Sequence, residues 1–226
     1  MERRKDDARG GVAAGEAALV VVVLILVSLF VTFNGTQVIE RGVNIGDPAP
    51  PLIGPSHIGG SGEVWNDFDL FGEVIKPDWK EGDDDNFILI DFIDTDCPYC
   101  WNKAPEMSSI HTDYGSKLSM YSVVVSIEGL SGHESSQNEI IAFQEKSTVN
   151  GQSFMCKASA TKCEERDGLA HPWTFIDDRD ESNFNAWDVS GTPTYFILKP
   201  NGEIAWSSNS DGGLTLEQAI QTVAGA

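Results

Sequence analysis

Two cysteines with two residues between them are the strongest candidates for chemistry in this chain. Cys97 and Cys100 enclose a Pro-Tyr dipeptide and closely follow a strongly apolar run. We expect the motif at the start of a helix, where unpaired backbone N–H groups and the positive end of the helix dipole stabilise a thiolate. The pKa of a CxxC cysteine there can fall from about 8.5 to between roughly 3.5 and 7.5. Cys97, with its sulfur toward solvent, is the predicted nucleophile, and the more buried Cys100 would resolve the mixed disulfide.

The motif is predicted to follow a strand in the middle of a sheet. The run 87–93 (FILIDFI) is too apolar for a strand with one solvent face, which indicates a strand covered on both faces. Near the carboxyl end, Asn201-Gly202 favours the positive φ of a tight hairpin turn. The further predicted strands are 120–127, 173–176 and the two arms of that hairpin, 194–198 and 203–206.

Helical patterns alternate with these strands. They cover about 98–112, 137–147, 182–188 and 214–224. In the last segment Thr215 is a candidate N-cap, and the residues expected to face inward are Leu214, Ala219, Ile220 and Val223. Strands alternating with helices, followed by a closing hairpin and helix, predict a mixed-sheet α/β sandwich.

Three stretches of sequence resemble the thioredoxin superfamily. Residues 88–100 (ILIDFIDTDCPYC) resemble its strand and active-site segment, and Pro105 falls where its active-site helix has a proline kink. Residues 189–204 (VSGTPTYFILKPNGEI) resemble the segment with a cis-proline opposite the cysteines, followed by the closing hairpin. The lead-in 45–52 (IGDPAPPL) is similar to the membrane-anchored TlpA- and ResA-like branch and to the redoxins. The resemblance covers about 44–226 and implies a thioredoxin-like mixed-sheet α/β sandwich.

The resemblance also implies roles for individual residues. Asp91, six residues before Cys97, would be a buried acid that passes a proton to or from Cys100. Its alternative is a buried acid satisfied by local hydrogen bonds. Pro193 would be the cis-proline, whose peptide presents the backbone of Thr192 to an extended client segment. The implied client-binding residues are Pro98, Tyr99, Thr192 and Pro193.

The chain departs from the family pattern in three places. The Pro-Tyr dipeptide is glutaredoxin-like, and residues 148–172 form an insert longer than a standard thioredoxin connection. Asp96 replaces the usual Trp or other neutral residue before the first cysteine. A carboxylate there would oppose thiolate formation on Cys97 and disfavour acidic clients. The alternative is that Asp96 only caps the helix.

The remaining cysteines, Cys156 and Cys163, lie in the insert with six residues between them. In an oxidising compartment we expect them to form a structural disulfide, which by loop entropy contributes roughly 2.5 kcal/mol. Two alternatives are a second redox pair that passes electrons to Cys97 and Cys100, and a zinc site shared with that motif. The spacing is unlike that of usual zinc knuckles.

The amino-terminal region predicts a membrane anchor. Residues 17–33 are apolar except for Ser28 and Thr32, and the run without charge continues to Val38. That length suffices to cross a bilayer. A cleavable signal peptide is the alternative, although Phe-Asn-Gly-Thr after the run is not a typical cleavage site. Four basic residues precede the run and only Arg41 closely follows it, which predicts a cytoplasmic amino terminus and an extracytoplasmic domain.

The predicted organisation therefore has four parts. They are a cytoplasmic tail (1–16), a single transmembrane helix (17–38), a Gly- and Pro-rich linker and lead-in (39–62), and a thioredoxin-like domain (63–226).

Composition and charge exclude several classes of partner. The chain has 15 Lys plus Arg against 35 Asp plus Glu, a net charge of −20, which argues against nucleic acid and against general binding to anionic lipid. No Gly-rich phosphate loop is present. The four histidines, His57, His111, His133 and His171, form no close pair and are expected to be surface or supporting residues. No metal or cofactor is predicted.

The sequence thus favours a membrane-anchored thiol–disulfide oxidoreductase that acts on client proteins with disulfides or thiols. The TlpA- and ResA-like resemblance implies a reductant supplied by a membrane electron donor. One alternative is a client-binding or chaperone module with a static disulfide. Another is a redoxin-type peroxidase, although such enzymes place their cysteine in a different, Thr-containing motif.

Overall fold

The computed structural model describes residue 22 and residues 40–127, 135–157, 161–210 and 213–225. The predicted tail 1–16 and the predicted anchor 17–38, apart from Val22, lie outside the described residues. Within the ranges that are described, no helix is both long and apolar enough to cross a membrane. Residues Glu40–Ala226 form one compact unit, and the architecture below is that of this unit.

The described residues form nine strands in two sheets. In chain order the strands are β1 (Ile53–Ile58), β2 (Asn66–Asp69), β3 (Phe87–Asp94), β4 (Leu118–Val125), β5 (Met155–Cys156), β6 (Thr161–Lys162), β7 (Thr174–Asp177), β8 (Thr194–Leu198) and β9 (Ile204–Ser207). Seven of them make a mixed sheet with the order β2-β1-β7-β4-β3-β8-β9. Strands β5 and β6 form a separate antiparallel hairpin in the insert.

Five α-helices are described between and after these strands. They are α1 (Leu70–Glu73), α2 (Pro98–Tyr114), α3 (Gln137–Glu145), α4 (Ser182–Ala186) and α5 (Leu216–Ala224), with a 3-10 helix at Cys163–Glu165. Pro98 is the first residue of α2, where its missing N–H costs nothing, and Pro105 lies inside that helix. Helix α5 begins with a capping box in which the Thr215 hydroxyl accepts from the Gln218 N–H.

The central position of β3 explains its unbroken apolar sequence. It pairs with β4 in parallel and with β8 antiparallel, and every one of its residues after Phe87 is buried. Because side chains alternate across a strand, Leu89 and Ile93 join the core that also contains both CxxC cysteines. Ile88 and Phe92 join the core on the opposite face. The prediction of a strand covered on both faces is confirmed.

The described structure differs from the sequence prediction at several boundaries. Strand β1 lies inside the segment 39–62 that was predicted as linker and lead-in, and β2 and α1 were not predicted. Leu214 is 38% exposed rather than inward-facing, and Leu216 is buried at the start of α5 instead. In the hairpin before β9 only Gly202, not Asn201, has a positive φ.

A buried arginine holds the insert against α3. The Arg166 guanidinium donates hydrogen bonds to the carbonyl oxygens of Phe143 and Gln144 in α3 and of Asp167 and Leu169 in the insert. Its charged group also lies 4.9 Å from the centre of the Phe143 ring. These contacts fix the segment that leads to His171 next to the main core.

Candidate active site

Helix α2 positions the two thiols of the CxxC motif. Cys97 is the N-cap residue of α2 and Cys100 lies in its first turn, and both are free thiols. We expected the Cys97 sulfur to face solvent, but the residue is only 3% exposed. The loop before β8 lies against it, and the Cys97 thiol donates to the Thr192 carbonyl oxygen at 3.3 Å.

The two thiols differ strongly in acidity. A hydrogen bond from the Cys100 thiol lowers the pKa of Cys97 to about 6, against the opposing effect of burial. The side chain of Thr192 and the backbone N–H groups of Cys100 and Tyr99, at the start of the helix, lower the pKa of Cys97 further. Burial raises the pKa of Cys100 well above its ordinary value, and the hydrogen bond with Cys97 raises it more. Cys97 is therefore the thiolate of the pair.

Two carboxyl groups precede Cys97 at the end of β3. The Asp94 carboxylate accepts the backbone N–H groups of Asp96 at 2.7 Å and of Ile127 at 2.9 Å. Burial raises the pKa of Asp94 to about 6, with smaller contributions from Asp96 and from Cys97. The N-cap position of α2 is occupied by Cys97 rather than by Asp96, which precedes it. The sequence analysis did not single out Asp94, although its place at the end of an apolar strand was the available signal.

Asp91 lies beneath the cysteines on the central strand. The sheet register sets it opposite Ser122 of β4 and Tyr195 of β8. The residue is 3% exposed, and within the described part of the chain its Oδ1 has no hydrogen-bond partner. Burial raises the pKa of its carboxyl to about 7, partly offset by a hydrogen bond with Ser122. Asp91 can therefore gain or lose a proton near neutral pH.

A small cavity connects this acid with the buried thiol. About 10 Å³ of it can hold the centre of a water molecule. Its polar and titratable lining comprises Asp91, Cys100, Lys103, Ser122, His171 and Tyr195. Burial, followed by the negative charge of Asp91, raises the pKa of Tyr195, which keeps its hydroxyl neutral. His171 had been expected to be a surface or supporting residue, and it is buried.

The predicted client-binding residues lie around Cys97. Pro98 and Tyr99 are exposed, the latter by 72%, at the tip of α2. The Thr192–Pro193 peptide bond is cis, and both residues are partly exposed. The Thr192 carbonyl oxygen contacts the Cys97 thiol, so this backbone borders that thiol. The structure thus brings the four residues to one surface.

Cys156 and Cys163 form a disulfide with an S–S distance of 2.07 Å, as predicted, and both are fully buried. Because their sulfurs are bonded to each other, these two cysteines do not form the alternative zinc site with Cys97 and Cys100. The described residues contain one group with metal-ligating atoms close together, Glu139 with these two cysteines, whose ligand atoms lie within 4.8 Å of one another. The Glu139 carboxylate accepts the Thr95 hydroxyl at 2.5 Å, two residues before Cys97.

Comparisons by sequence give no assignment. No protein-family model matches the chain, and no curated protein has a significant sequence match to it.

Solved structures match the chain at low sequence identity. An uncharacterized conserved protein from Geobacillus kaustophilus has a TM-score of 0.54 at 16% identity, covering 81% of this chain and 82% of that one. The reduced 2-Cys peroxiredoxin from Plasmodium vivax has a TM-score of 0.52 at 11% identity, covering 79% of each chain. A putative thiol:disulfide interchange protein DsbE from Chlorobium tepidum has a TM-score of 0.50 at 16% identity, covering 81% of this chain and 99% of that one.

At identities this low the likeness concerns the fold. Peroxiredoxins and DsbE-type proteins are both built on the thioredoxin fold, and the mixed sheet, the CxxC helix and the cis-proline described above agree with it. The chain therefore has a thioredoxin-like mixed-sheet α/β fold.

Proposed function

We propose that this protein is a thiol–disulfide oxidoreductase that exchanges disulfides with client proteins through Cys97 and Cys100. One observation carries the proposal, the division of acidity between the two thiols. The pKa of Cys97 is lowered to about 6 by the Cys100 thiol, whereas burial raises the pKa of Cys100. One thiol is thus a nucleophile at neutral pH, and the other stays protonated until a base removes its proton.

In the reducing direction the reaction has two exchange steps. The Cys97 thiolate attacks one sulfur of a client disulfide, which forms a mixed disulfide and releases the other client sulfur as a thiolate. Cys100 then loses its proton to Asp91 and attacks the Cys97 sulfur, which forms the Cys97–Cys100 disulfide and releases the second client sulfur. Two electrons pass from the dithiol to the client. Asp91 suits the base role because burial raises the pKa of its carboxyl to about 7.

The surface around Cys97 supports a protein client rather than a small molecule. The exposed Tyr99 ring and Pro98 offer apolar contact, and the backbone of Thr192 offers pairing to an extended segment. The described cavity behind Cys100 has room for about one water molecule, too little for a substrate.

Trapping of the mixed disulfide tests this function. With insulin as the client disulfide and dithiothreitol as the electron source, the full chain should reduce insulin and the Cys97→Ser variant should not. Cys100→Ser, reduced and then freed of dithiothreitol, should accumulate a covalent complex with insulin, because the resolving thiol is missing and no other dithiol is present to reduce the mixed disulfide. The matched control, Cys156→Ser with Cys163→Ser, should retain exchange. Binding of the client without any covalent complex or reduction would favour the client-binding module instead.

A peroxidase is the second candidate, since structural neighbours include a 2-Cys peroxiredoxin. In that reaction the Cys97 thiolate would attack hydrogen peroxide to give a sulfenic acid and hydroxide, and the Cys100 thiol would condense with the sulfenic acid to form a disulfide and release water. Consumption of hydrogen peroxide that requires Cys97 and outpaces insulin reduction would favour this candidate.

We further propose that the protein is anchored by residues 17–38 with its thioredoxin-like domain on the extracytoplasmic side. The support is the charge-free apolar run and the excess of basic residues before it. A reductant in an oxidising compartment needs a source of electrons, so we propose a membrane electron donor. Labelling of Cys97 in intact cells by a membrane-impermeant maleimide tests the orientation, and labelling only after lysis would contradict it.

A further inference from the structure

Two buried side chains that each have a polar atom without a partner line one small cavity. Asp91 Oδ1 and His171 Nδ1 have no hydrogen-bond partner among the described residues, and both side chains line the cavity beside Cys100. Buried polar atoms in folded proteins almost always have a partner, either in the protein or in an ordered water. The cavity has room for about one water molecule, and a water molecule has two hydrogens to donate.

The surroundings of His171 fix which ring nitrogen accepts. Its Nε2 lies 3.3 Å from the Ala104 carbonyl oxygen of α2, which can only accept, so Nε2 carries the hydrogen. Nδ1 is then a lone-pair acceptor. The ring stacks on Trp173 with a centroid distance of 4.1 Å, which holds its orientation. Burial, followed by the charge of Arg166, lowers the pKa of His171 to about 2, so the ring stays neutral.

We propose that His171 is a positioning residue, which holds a water molecule between Asp91 and Cys100 by accepting one of its hydrogens at Nδ1 while the other is donated to Asp91 Oδ1. Cys100 lines the same cavity, and its thiol donates to the oxygen of that water. When Cys100 ionises, its proton moves to the water and a proton of the water moves to Asp91. His171 gains and loses nothing. The inference rests on the proposed exchange function and adds to it a residue supplied by the insert.

Kinetics of the resolving step test the role of His171. His171→Phe keeps the stacked ring and removes the acceptor, whereas His171→Asn keeps an acceptor near the position of Nδ1. We expect His171→Phe to slow release of the client from the mixed disulfide by about tenfold. This loss is smaller than the rate acceleration of about 100-fold or more that general acid–base catalysis typically supplies. His171→Asn should restore most of the rate.

A double-mutant comparison separates positioning from packing. In an Asp91→Asn background, His171→Phe should slow the step by less than about twofold, because both variants act through the same water. The same tenfold loss in both backgrounds would overturn the proposal. So would an Asn variant no better than the Phe variant.

Titration of Asp91 tests the same contact without any exchange activity. The titratable groups that face Asp91 from the cavity wall are Cys100 and Lys103 of α2, Tyr195 of β8, and His171. A water that donates to the carboxylate favours its charged form, so loss of that water should raise the pKa of Asp91 in His171→Phe. Carboxyl ¹³C NMR of the full chain measures this. An unchanged Asp91 titration would overturn the positioning role.

The outcomes for His171 and for the exchange function are distinguishable. If the wild-type chain reduces no client, the proposed function fails, and the Asp91 titration still decides the role of His171. If His171→Phe does not fold, a high-resolution crystal structure of the wild-type protein decides it instead. Density for a water within hydrogen-bond distance of Asp91 Oδ1 and His171 Nδ1 is expected, and a dry cavity would overturn the proposal.

Discussion

Removal of the Cys100 thiol should raise the pKa of Cys97. The hydrogen bond from Cys100 is the largest of the interactions that lower the pKa of Cys97 from its ordinary 9.0 to about 6. Cys100→Ala removes this donor and leaves burial, which opposes ionisation. Cys100→Ser keeps a hydroxyl donor at nearly the same place. The two variants therefore differ in the one interaction under test.

The size of the effect follows from the fraction of thiolate. With a pKa of about 6, roughly nine-tenths of Cys97 is ionised at pH 7, against about one-hundredth for an ordinary thiol. We expect Cys100→Ala to move the midpoint up by about one pH unit or more. At pH 6 the thiolate fraction would then fall from about half to about one-tenth. A more basic thiolate is about threefold more nucleophilic, so the alkylation rate itself falls only about twofold.

The pH profile of iodoacetamide alkylation, read by mass spectrometry, measures the midpoint directly. The reduced full chain and both variants are compared over pH 4 to pH 9. A midpoint in Cys100→Ala that coincides with that of Cys100→Ser would refute the reasoning, because the donor would then have no part in the acidity of Cys97.

Three further predictions concern stability and client contact. Burial raises the pKa of Asp91 to about 7, above that of a carboxyl in the unfolded chain. The free energy of unfolding of the wild type should therefore fall as the pH rises from about 4 to 7. Asp91→Asn should remove this loss, and in chemical unfolding at pH 8 it should be more stable than the wild type by up to about 4 kcal/mol. An equal difference at pH 4 and pH 8 would contradict this. Cys156→Ala with Cys163→Ala should lower the free energy of unfolding in guanidinium by about 2.5 kcal/mol or more without slowing insulin reduction, and unchanged stability would contradict the structural role. Tyr99→Ser should change stability by less than about 0.5 kcal/mol yet slow insulin reduction more than reduction of a small disulfide, and equal slowing of both would argue against client contact.

Local motifs made the reactive pair and the central sheet predictable. The spacing of Cys97 and Cys100 after an apolar strand is a local signal, and it correctly placed them at the start of α2. The burial of Asp91 was implied by the resemblance to the thioredoxin superfamily, and in the structure the residue is buried on β3. The Cys156–Cys163 disulfide was predicted from the short spacing together with the expected oxidising compartment.

Features that depend on distant contacts were not predictable. Strand β1 (Ile53–Ile58) contains Gly54 and Pro55, which are typical of loops, yet pairing with β2 and β7 imposes strand structure on it. The burial of Cys97 depends on the loop around Thr192, 95 residues away along the chain. The insert that carries His171 is held against α3 by Arg166 and by the backbone N–H of His171 itself, and no spacing in the sequence indicates those contacts.

The reduction potential of Cys97–Cys100 tests the central claim most directly. The full chain is equilibrated in glutathione buffers of graded potential, and thiol trapping with mass spectrometry then reports each cysteine separately. We expect Cys97 and Cys100 to titrate together as a two-electron couple between about −270 and −120 mV, while Cys156–Cys163 stays oxidised. A Cys97–Cys100 pair that stays in one redox state across this whole range would contradict an exchange catalyst.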